Sequence, residues 1–312
     1  MNINANNLFG HINYGDPQIY KNVAFIPLYS NSSPSLEYRT MPELNMGSDL
    51  EISEIGGGSV GKLSVTNNTD GFVLLVDGEE VMGAKQNRAF NTTMMIEPRQ
   101  SSILQVSCTE SGRWSPSFHN YFGDSGVVMP SAARYNRKRS VDESLASRGE
   151  FKSDQRQVWE DINDLQDLAG ETTSTSAMRD VYESQSNALA EFVNAFDYHS
   201  GQIGIAVLID NDVVGLEMFS RSSAMKKMAP KIIKSYGMDV NLGRISDIKH
   251  DKISDIPMFL KKINNMNPAC FKSEGVGWDY RFEADNISGS ALICEDEMVH
   301  ASFYNGNRLY QS

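Results

Sequence analysis

The chain has 312 residues, with 28 Lys and Arg against 40 Asp and Glu, which gives a net charge of −12 and a pI of about 4.9. A protein that binds nucleic acid normally presents a basic face, so this charge argues against DNA, RNA or an anionic membrane as the main partner. Hydrophobic residues make up 40% of the chain, which is enough for one large domain or two modest ones.

The cysteines indicate a reducing compartment. Cys108, Cys270 and Cys294 form no C-x-x-C pair and their number is odd, so free thiols are expected rather than a disulfide framework. The N-terminal residues lack the charged and apolar regions of a secretory signal, and no apolar run approaches the length of a membrane span. We therefore expect a cytoplasmic protein that does not insert into a membrane.

The first part of the chain predicts antiparallel β-structure. A loosely held polar arm at residues 1–20 precedes a β-rich part at residues 21–137. Strands are expected at residues 23–29, 50–55, 62–65, 72–76, 92–96 and 102–108. The glycines at 56–58 favour a hairpin turn, because the lysine-bearing helix of a phosphate-binding loop does not follow them. Residues 115–137 show no periodicity and predict a long irregular segment.

Residues 138–200 predict a helical part. A capping box that begins at Ser140 predicts the start of the first helix, and Gly149 predicts its end. Ser153 is a candidate N-cap for a second helix, which Gly170 would end.

The longest predicted helix spans residues 175–196. Its apolar side chains recur at helical spacing and form a stripe along one face. A helix of this length exceeds what one subunit would bury, so the stripe predicts a homodimer contact.

Residues 201–312 predict a mixed α/β part. The polar triplet at residues 210–212 is a hairpin signal between two apolar runs. Helices are expected at residues 224–236, where Pro230 would break the helix, and at residues 254–266. Final strands are expected at residues 279–284, 290–294 and 298–304. Because strands and helices are segregated along the chain, the prediction is a single α+β domain over residues 1–312.

A polar stretch at residues 77–91 stands between two β-like runs. Its polar residues are Asp77, Glu79, Glu80, Lys85, Gln86, Asn87, Arg88 and Asn91. Gly78 and Gly83 allow the backbone to bend there. Strands that frame a dense polar loop are typical of a binding or catalytic site, so this loop is the candidate site.

Three acids begin this stretch. Asp77, Glu79 and Glu80 could hold a divalent cation, or one of them could serve as a general base. A solvated turn after a strand would explain the same residues. The sequence supplies no further oxygen ligands with recognisable spacing, so no metal is assigned and any cofactor stays unknown.

Three cations are candidates for gripping a phosphate group, and the two polar strings that carry them, residues 77–88 and 107–114, are expected to be neighbours in space. Lys85, Arg88 and Arg113 supply the charge, and the planar fork of arginine suits bidentate contact with phosphate oxygens. Gln86 could contact a ribose or a base edge, and Trp114 could stack on an adenine ring. The structural alternatives are ion pairs with nearby acids for the cations and core packing for the tryptophan.

Four strings carry a resemblance to a known family. They are DGEEVMGAKQNR at residues 77–88, SCTESGRW at 107–114, RSVDESL at 139–145 and SDQRQVW at 153–159. Through them the chain resembles the bacterial and phage family called the ARG and rhodanese-phosphatase-superfamily-associated domain, over residues 23–303. That family is associated with genes of NAD and ADP-ribose metabolism, so the resemblance implies an ADP-ribose-like nucleotide as the ligand.

Three classes of function are consistent with these residues. The first is a protein that binds and sequesters a small NAD-derived nucleotide, such as an immune-signalling molecule. The second is an enzyme that hydrolyses or transfers an ADP-ribose-type substrate with one of the acids Asp77, Glu79 and Glu80. The third is a structural protein whose polar loop holds the fold together. Binder and enzyme need the same anion-gripping residues, so the sequence leaves enzymatic activity open. The acids lack the histidine, cysteine or metal spacing of familiar hydrolases, which favours the binder.

Overall fold

The computed structural model describes residues 12–56, 60–113, 122–171, 175–244 and 255–306. Eighteen strands and six α-helices lie in these ranges, and most of the helices fall between an N-terminal and a C-terminal group of strands. The sheets are antiparallel apart from one strand pair. The predicted α+β class is confirmed.

The strands are short, as is usual in antiparallel sheets. In chain order they are β1 (Ile12–Tyr14), β2 (Gln18–Tyr20), β3 (Val23–Ser30), β4 (Tyr38–Thr40), β5 (Leu50–Glu54), β6 (Lys62–Asn67), β7 (Phe72–Leu75), β8 (Glu79–Gly83), β9 (Arg88–Phe90), β10 (Met94–Ile96), β11 (Ser101–Cys108), β12 (Phe122–Val128), β13 (Gly204–Ile209), β14 (Asp212–Phe219), β15 (Ala269–Lys272), β16 (Trp278–Ala284), β17 (Ile287–Cys294) and β18 (Glu297–Asn305).

The largest sheet has nine strands, in the order β1-β3-β13-β14-β18-β17-β16-β15, with β2 also paired to β3. Asp210 and Asn211 turn the β13–β14 hairpin with positive φ angles, and Glu295 and Asp296 do the same between β17 and β18. The predicted hairpin at residues 210–212 is confirmed. Strands β1 and β2 lie in the part of the chain predicted to be a loose arm, and they are held by pairing with β3.

Two smaller sheets are built from the N-terminal half. One has the order β10-β7-β4, with β4 and β7 parallel, and the other has the order β12-β8-β9-β11-β6-β5. Strands β5 and β6 form the hairpin that the glycines at 56–58 predicted, although residues 57–59 themselves lie outside the described ranges. Strands β8 and β9 also pair with each other. The stretch expected to be a polar loop is therefore itself a hairpin within a sheet.

The helices join these sheets. They are α1 (Ser131–Arg148), α2 (Gln155–Ala169), α3 (Met178–Ser184), α4 (Ser186–Asn194), α5 (Ser222–Asn241) and α6 (Ile256–Asn264). Helix α5 packs against β4, β12 and β14, one strand from each sheet, and α1 packs against β17, α2 and α5. None of the described helices is long and apolar enough to cross a membrane.

Helix α1 begins earlier than the sequence predicts. It starts at Ser131, directly after Pro130, and Gly149 ends it in a left-handed conformation as expected. Ser140 is inside the helix, where its hydroxyl donates to the carbonyl oxygen of Arg137 at 2.9 Å. The predicted start at Ser140 is therefore wrong. The prediction of an irregular segment at residues 115–137 is also wrong, because β12 and the start of α1 occupy most of its described part.

Helix α2 is capped by Asp154 rather than by Ser153. The Asp154 carboxylate accepts two backbone N–H groups of the first turn, and Gly170 ends the helix as predicted. Ser153 faces inward, where its hydroxyl lies 2.5 Å from that of Ser107.

Two further helix predictions fail at single residues, whereas α6 lies within the helix predicted at residues 254–266. The chain turns at Gln185, so the helix predicted at residues 175–196 is the pair α3 and α4. Pro230 lies inside α5 without ending it, because packing on both sides of the proline holds the helix together. The homodimer argument from one long helix therefore loses its premise.

The largest apolar core lies between α5 and the sheets. Met228, Ile232 and Tyr236 of α5 pack in one cluster with Phe25 of β3 and Leu74 of β7. This arrangement places the β8–β9 hairpin close to α1 and α5, which supply most of its charged partners.

Candidate functional site

The acids of the polar stretch are buried and do not share one site. Asp77, Glu79 and Glu80 are each 0% exposed, so the alternative of a solvated turn is wrong. Asp77 lies in the turn before β8, whereas Glu79 and Glu80 are successive residues of the strand and point to opposite faces. Each acid consequently has its own set of partners.

Asp77 anchors a buried cluster of cations from α1. Its carboxylate forms ion pairs with Arg137, with Lys138 at 3.0 Å and with Arg134 at 3.8 Å. Burial opposes the charged form, but the attraction of Lys138, Arg137 and Arg134 outweighs it and holds the pKa of Asp77 well below its usual range. A carboxylate held ionised by three cations is a poor proton acceptor, so Asp77 serves as a structural anchor rather than as a base.

The cluster continues into the large sheet through Glu217. Arg134 forms a close ion pair with Glu217 of β14, and Glu217 lies 3.6 Å from His300 of β18. His300 is also hydrogen-bonded to the hydroxyl of Thr93 at 2.9 Å, and the backbone N–H of Asp77 donates to that same hydroxyl at 3.1 Å. Buried ion pairs of α1 therefore connect Asp77, which precedes β8, to Glu217 in the large sheet.

Arg281 forms a second buried junction. It contacts Asp279 at 2.7 Å and Asp142 of α1 at 3.4 Å, and it donates to the hydroxyl of Thr92 at 2.5 Å. Burial raises the pKa of Asp142 to about 7, with Arg281 opposing the rise.

Glu79 belongs to an ion-pair triad with α5. The Nζ of Lys231 lies 2.8 Å from Glu79 and 2.7 Å from Asp124 of β12. Burial disfavours the ammonium group, but the two carboxylates outweigh it and raise the pKa of Lys231. Glu79 is therefore a partner of a fixed lysine and holds α5 against β8.

Glu80 is the acid whose environment most resembles that of a proton-transfer group. The hydroxyl of Thr109 donates to its carboxylate at 2.6 Å. Burial raises the pKa of Glu80 to about 7, and hydrogen bonds from Thr109 and Ser125 oppose the rise. Burial raises the pKa of Glu79 as well, but its carboxylate is paired with Lys231, whereas Glu80 has only hydroxyl partners among the described residues.

Arg113 meets the β8–β9 turn, as the prediction that residues 77–88 and 107–114 are neighbours requires. Its guanidinium grips both oxygens of Glu110, at 2.8 and 2.6 Å, and donates to the carbonyl oxygen of Ala84 at 2.7 Å and the amide oxygen of Asn87 at 3.3 Å. The side chain is 20% exposed. Arg113 is therefore fixed in orientation while part of it faces solvent.

Lys85 and Arg88 belong to the β8–β9 hairpin that Arg113 contacts, and we call these three residues the cationic rim. Arg88 is buried and donates to the amide oxygen of Gln86 at 3.1 Å. Burial lowers the pKa of Arg88; Cys108, Glu54 and Glu110 oppose this fall, and the positive charge of Arg113 adds to it least. The backbone N–H of Lys85 donates to Glu54 at 3.1 Å. Trp114 lies outside the described residues.

The amides of the stretch serve the fold. Asn91 donates to the carbonyl oxygen of Phe151 at 2.9 Å and accepts from Ser107 at 2.5 Å. The backbone N–H of Gly83 donates to Asn87 at 3.3 Å across the turn. Within the described ranges, no group of three or more His, Cys, Asp or Glu residues is placed to hold a metal ion.

Sequence reasoning missed the partners that bury this hairpin. They are Arg134, Arg137, Lys138, Glu217 and Arg281. Two signals could have found them. The α1 cations recur at helical spacing, which places them on one face, and Glu217 is an acid within the apolar run of β14.

The fold and the site define an α+β protein in which a polar hairpin is locked by buried ion pairs and reaches the surface at a cationic rim. The chain belongs to the ARG and Rhodanese-Phosphatase-superfamily-associated Protein domain family, whose model matches residues 11–304. The resemblance carried by the sequence is thereby confirmed. Neither a curated protein nor a solved structure matches the chain.

Proposed function

We propose that this protein binds and sequesters an NAD- or ADP-ribose-derived nucleotide, and that the cationic rim grips its pyrophosphate. The supporting observation is Arg113, whose guanidinium is held against the β8–β9 turn while its side chain stays 20% exposed, in a chain of net charge −12. A local cation of this kind can attract a small anion even where the net charge of the protein is negative.

The geometry of Arg113 suits a ligand of this kind. Contacts with Glu110, Ala84 and Asn87 fix the guanidinium before a ligand arrives, so little side-chain entropy is lost on binding. Because Glu110 already takes the two-pronged face of this guanidinium, the phosphate is attracted by the positive charge of the exposed part of the side chain. Gln86, held beside Arg88, is positioned to supply an amide to the same ligand.

The family supports the chemical class of the ligand. The family is named for its association with ARG and the rhodanese-phosphatase superfamily, and the resemblance implies association with genes of NAD and ADP-ribose metabolism. The three free cysteines accord with the reducing cytoplasm in which such nucleotides occur.

A second candidate function is hydrolysis or transfer of the same nucleotide class. Glu80 favours it, because a carboxyl group with a pKa of about 7 can both give and take a proton at neutral pH. Asp77 and Glu79 are committed to buried cations and are poorer candidates.

A thermal-shift screen with ADP-ribose, cyclic ADP-ribose and NAD tests the binding proposal. A ligand that binds only the folded protein, at a hundredfold excess over its Kd, adds about 2.7 kcal/mol to the free energy of unfolding. Arg113→Ala should remove most of the rise in Tm, measured against the variant's own ligand-free Tm because Arg113 also anchors Glu110. The matched control is Arg99→Ala, whose side chain is 62% exposed and pairs with Asp70 on the surface.

The state of the nucleotide after incubation with the protein distinguishes the two functions. The protein is denatured and the nucleotide is recovered by chromatography. Intact nucleotide in stoichiometric amount means capture. Catalytic conversion that Glu80→Gln abolishes means an enzyme. If no nucleotide shifts the Tm and Arg113→Ala only destabilises the fold, both functions are wrong.

We further propose that the protein forms a homodimer through α2. Two large apolar side chains of this helix are exposed, Trp159 at 37% and Leu168 at 54%, and they flank its buried stripe on opposite sides. Such side chains on a surface helix favour a contact between copies of the chain.

A further inference from the structure

A cavity of about 330 Å³ opens at one end of the large sheet and shares no residue with the cationic rim. Trp278 and Tyr280 of β16 form one wall, and Glu295 and Asp296, the turn between β17 and β18, lie at the rim. This volume is within the range of small-ligand sites. The cavity therefore combines an aromatic wall with two carboxylates.

The backbone makes part of the cavity lining. Gly277 has a φ angle of +90°, and a Cβ built there would lie 2.2 Å from the carbonyl oxygen of Ile293. Any other residue at this position would push the β15–β16 connection away from β17. The close packing of Gly277 against the backbone of Ile293 therefore fixes this wall of the cavity.

The electrostatic environment of the cavity is negative. Glu295 and Asp296 are its charged lining residues, and both are acids. Burial raises the pKa of the neighbouring Cys294 thiol to about 12, and Glu295 raises it further while Lys272 opposes. A cation is therefore favoured in this space over an anion.

Trp278 already attracts a cation from its own chain. Its side chain is 49% exposed, which is unusual for tryptophan. The Nζ of Lys272, its cross-strand partner, lies 5.4 Å from the ring centroid, which is the geometry of a cation–π contact. The ring face is thus suited to a positive charge, and Lys272 is positioned to compete with one.

We propose that this cavity binds a small organic cation, an ammonium group that lies against Trp278 with its charge facing Glu295 and Asp296. The aromatic face and the carboxylates act together, because the ring attracts the cation through its quadrupole and the acids through their charge. Lys272 lowers the affinity for this ligand, because its own ammonium group already lies near the Trp278 ring and competes for the same negative potential.

Calorimetric titration with choline tests the proposal, and its uncharged isostere 3,3-dimethylbutan-1-ol is the matched ligand. Choline should bind the full chain, and the alcohol should bind about tenfold more weakly or not at all. Trp278→Leu should weaken choline binding about tenfold, and Glu295→Gln with Asp296→Asn should weaken it several-fold. Trp159→Leu, at an exposed position of α2, should leave it unchanged.

Lys272→Met should change the affinity for choline in the opposite direction. Removing the competing cation should raise choline affinity several-fold, an outcome that a purely structural role of Lys272 does not produce. Equal affinity for the alcohol and choline would overturn the cation preference. Absence of choline binding in both the wild-type protein and Lys272→Met would overturn the site.

Discussion

The carboxylate of Asp77 lies 3.0 Å from the Nζ of Lys138, and both side chains are 1% exposed. Arg134 and Arg137 surround the same carboxylate. One acid from the N-terminal half therefore forms ion pairs with three cations of α1 in the interior.

Asp77→Asn should destabilise the protein strongly. The substitution keeps the volume of the side chain but leaves buried cations without their counter-charge, which costs about 3–5 kcal/mol. The matched control is Asp70→Asn, because Asp70 is 89% exposed and pairs with Arg99 on the surface, where an ion pair contributes less than about 1 kcal/mol. Urea denaturation of both variants measures the difference, and equal midpoints would contradict the anchoring role of Asp77.

Glu80→Gln should change how stability depends on pH. Burial raises the pKa of Glu80 from 4.5 to about 7, so between these values the folded state binds the proton more tightly than the unfolded state. This contribution to stability is therefore complete below about pH 4.5 and is lost as the pH rises through about 7. Glutamine cannot ionise, so relative to wild type the variant should gain up to about 3 kcal/mol between pH 5 and pH 8.

Denaturation of wild type and Glu80→Gln at several pH values isolates this effect. Asp142 and Glu274, whose pKa values burial also raises to about 7, contribute equally to both proteins and cancel. A stability difference that stays constant between pH 5 and pH 8 would show that Glu80 is not the group responsible.

Gly78→Ala should destabilise the protein more than Gly47→Ala. Both glycines have φ angles near +87°, so the backbone strain of the substitution is matched. A Cβ at Gly78 would lie 3.0 Å from the Arg134 side chain and would push on the buried cluster, whereas nothing lies within 4 Å at Gly47. Overpacking of this kind costs about 1–3 kcal/mol. Thermal unfolding of the two variants should separate them, and an equal loss would mean that Arg134 has room to move.

Light scattering tests the proposed homodimer. Wild type should have twice the mass of the chain at high concentration, and Leu168→Glu, which places a charge at an exposed position of α2, should reduce it to that of a monomer. Asp167→Lys alters a neighbouring charge on the same helix and is the control. A monomer at every wild-type concentration would refute the dimer.

Local patterns predicted much of the fold. An apolar run located β3, alternation located β5 and β11, and the turn residues Asp210 and Asn211 located the β13–β14 hairpin. The errors arose where tertiary contacts override local signals. Ser140 has the features of a cap but lies inside α1, and Pro230 lies inside α5, because packing stabilises both helices.

The sequence indicated where the candidate site lies in the chain but did not show which residues surround it. Polar density selected the β8–β9 hairpin, and the SCTESGRW string correctly placed Arg113 beside it. The sequence could not show that α1 would cover Asp77, because that contact joins residues 60 positions apart. Buried ion pairs depend on such distant partners, so a loop that looked solvated is in fact enclosed.

Equilibrium dialysis of ADP-ribose against the wild-type protein and Arg113→Ala tests the central claim most directly. The wild-type protein should retain about one ADP-ribose per chain and little adenosine, because adenosine lacks the pyrophosphate. Arg113→Ala should lose at least about tenfold in affinity, since a hydrogen bond to a charged group contributes about 1.5–3 kcal/mol. Arg99→Ala should bind as wild type does. Retention of adenosine equal to that of ADP-ribose, or undiminished binding by a folded Arg113→Ala, would contradict the proposal that the cationic rim grips the ligand.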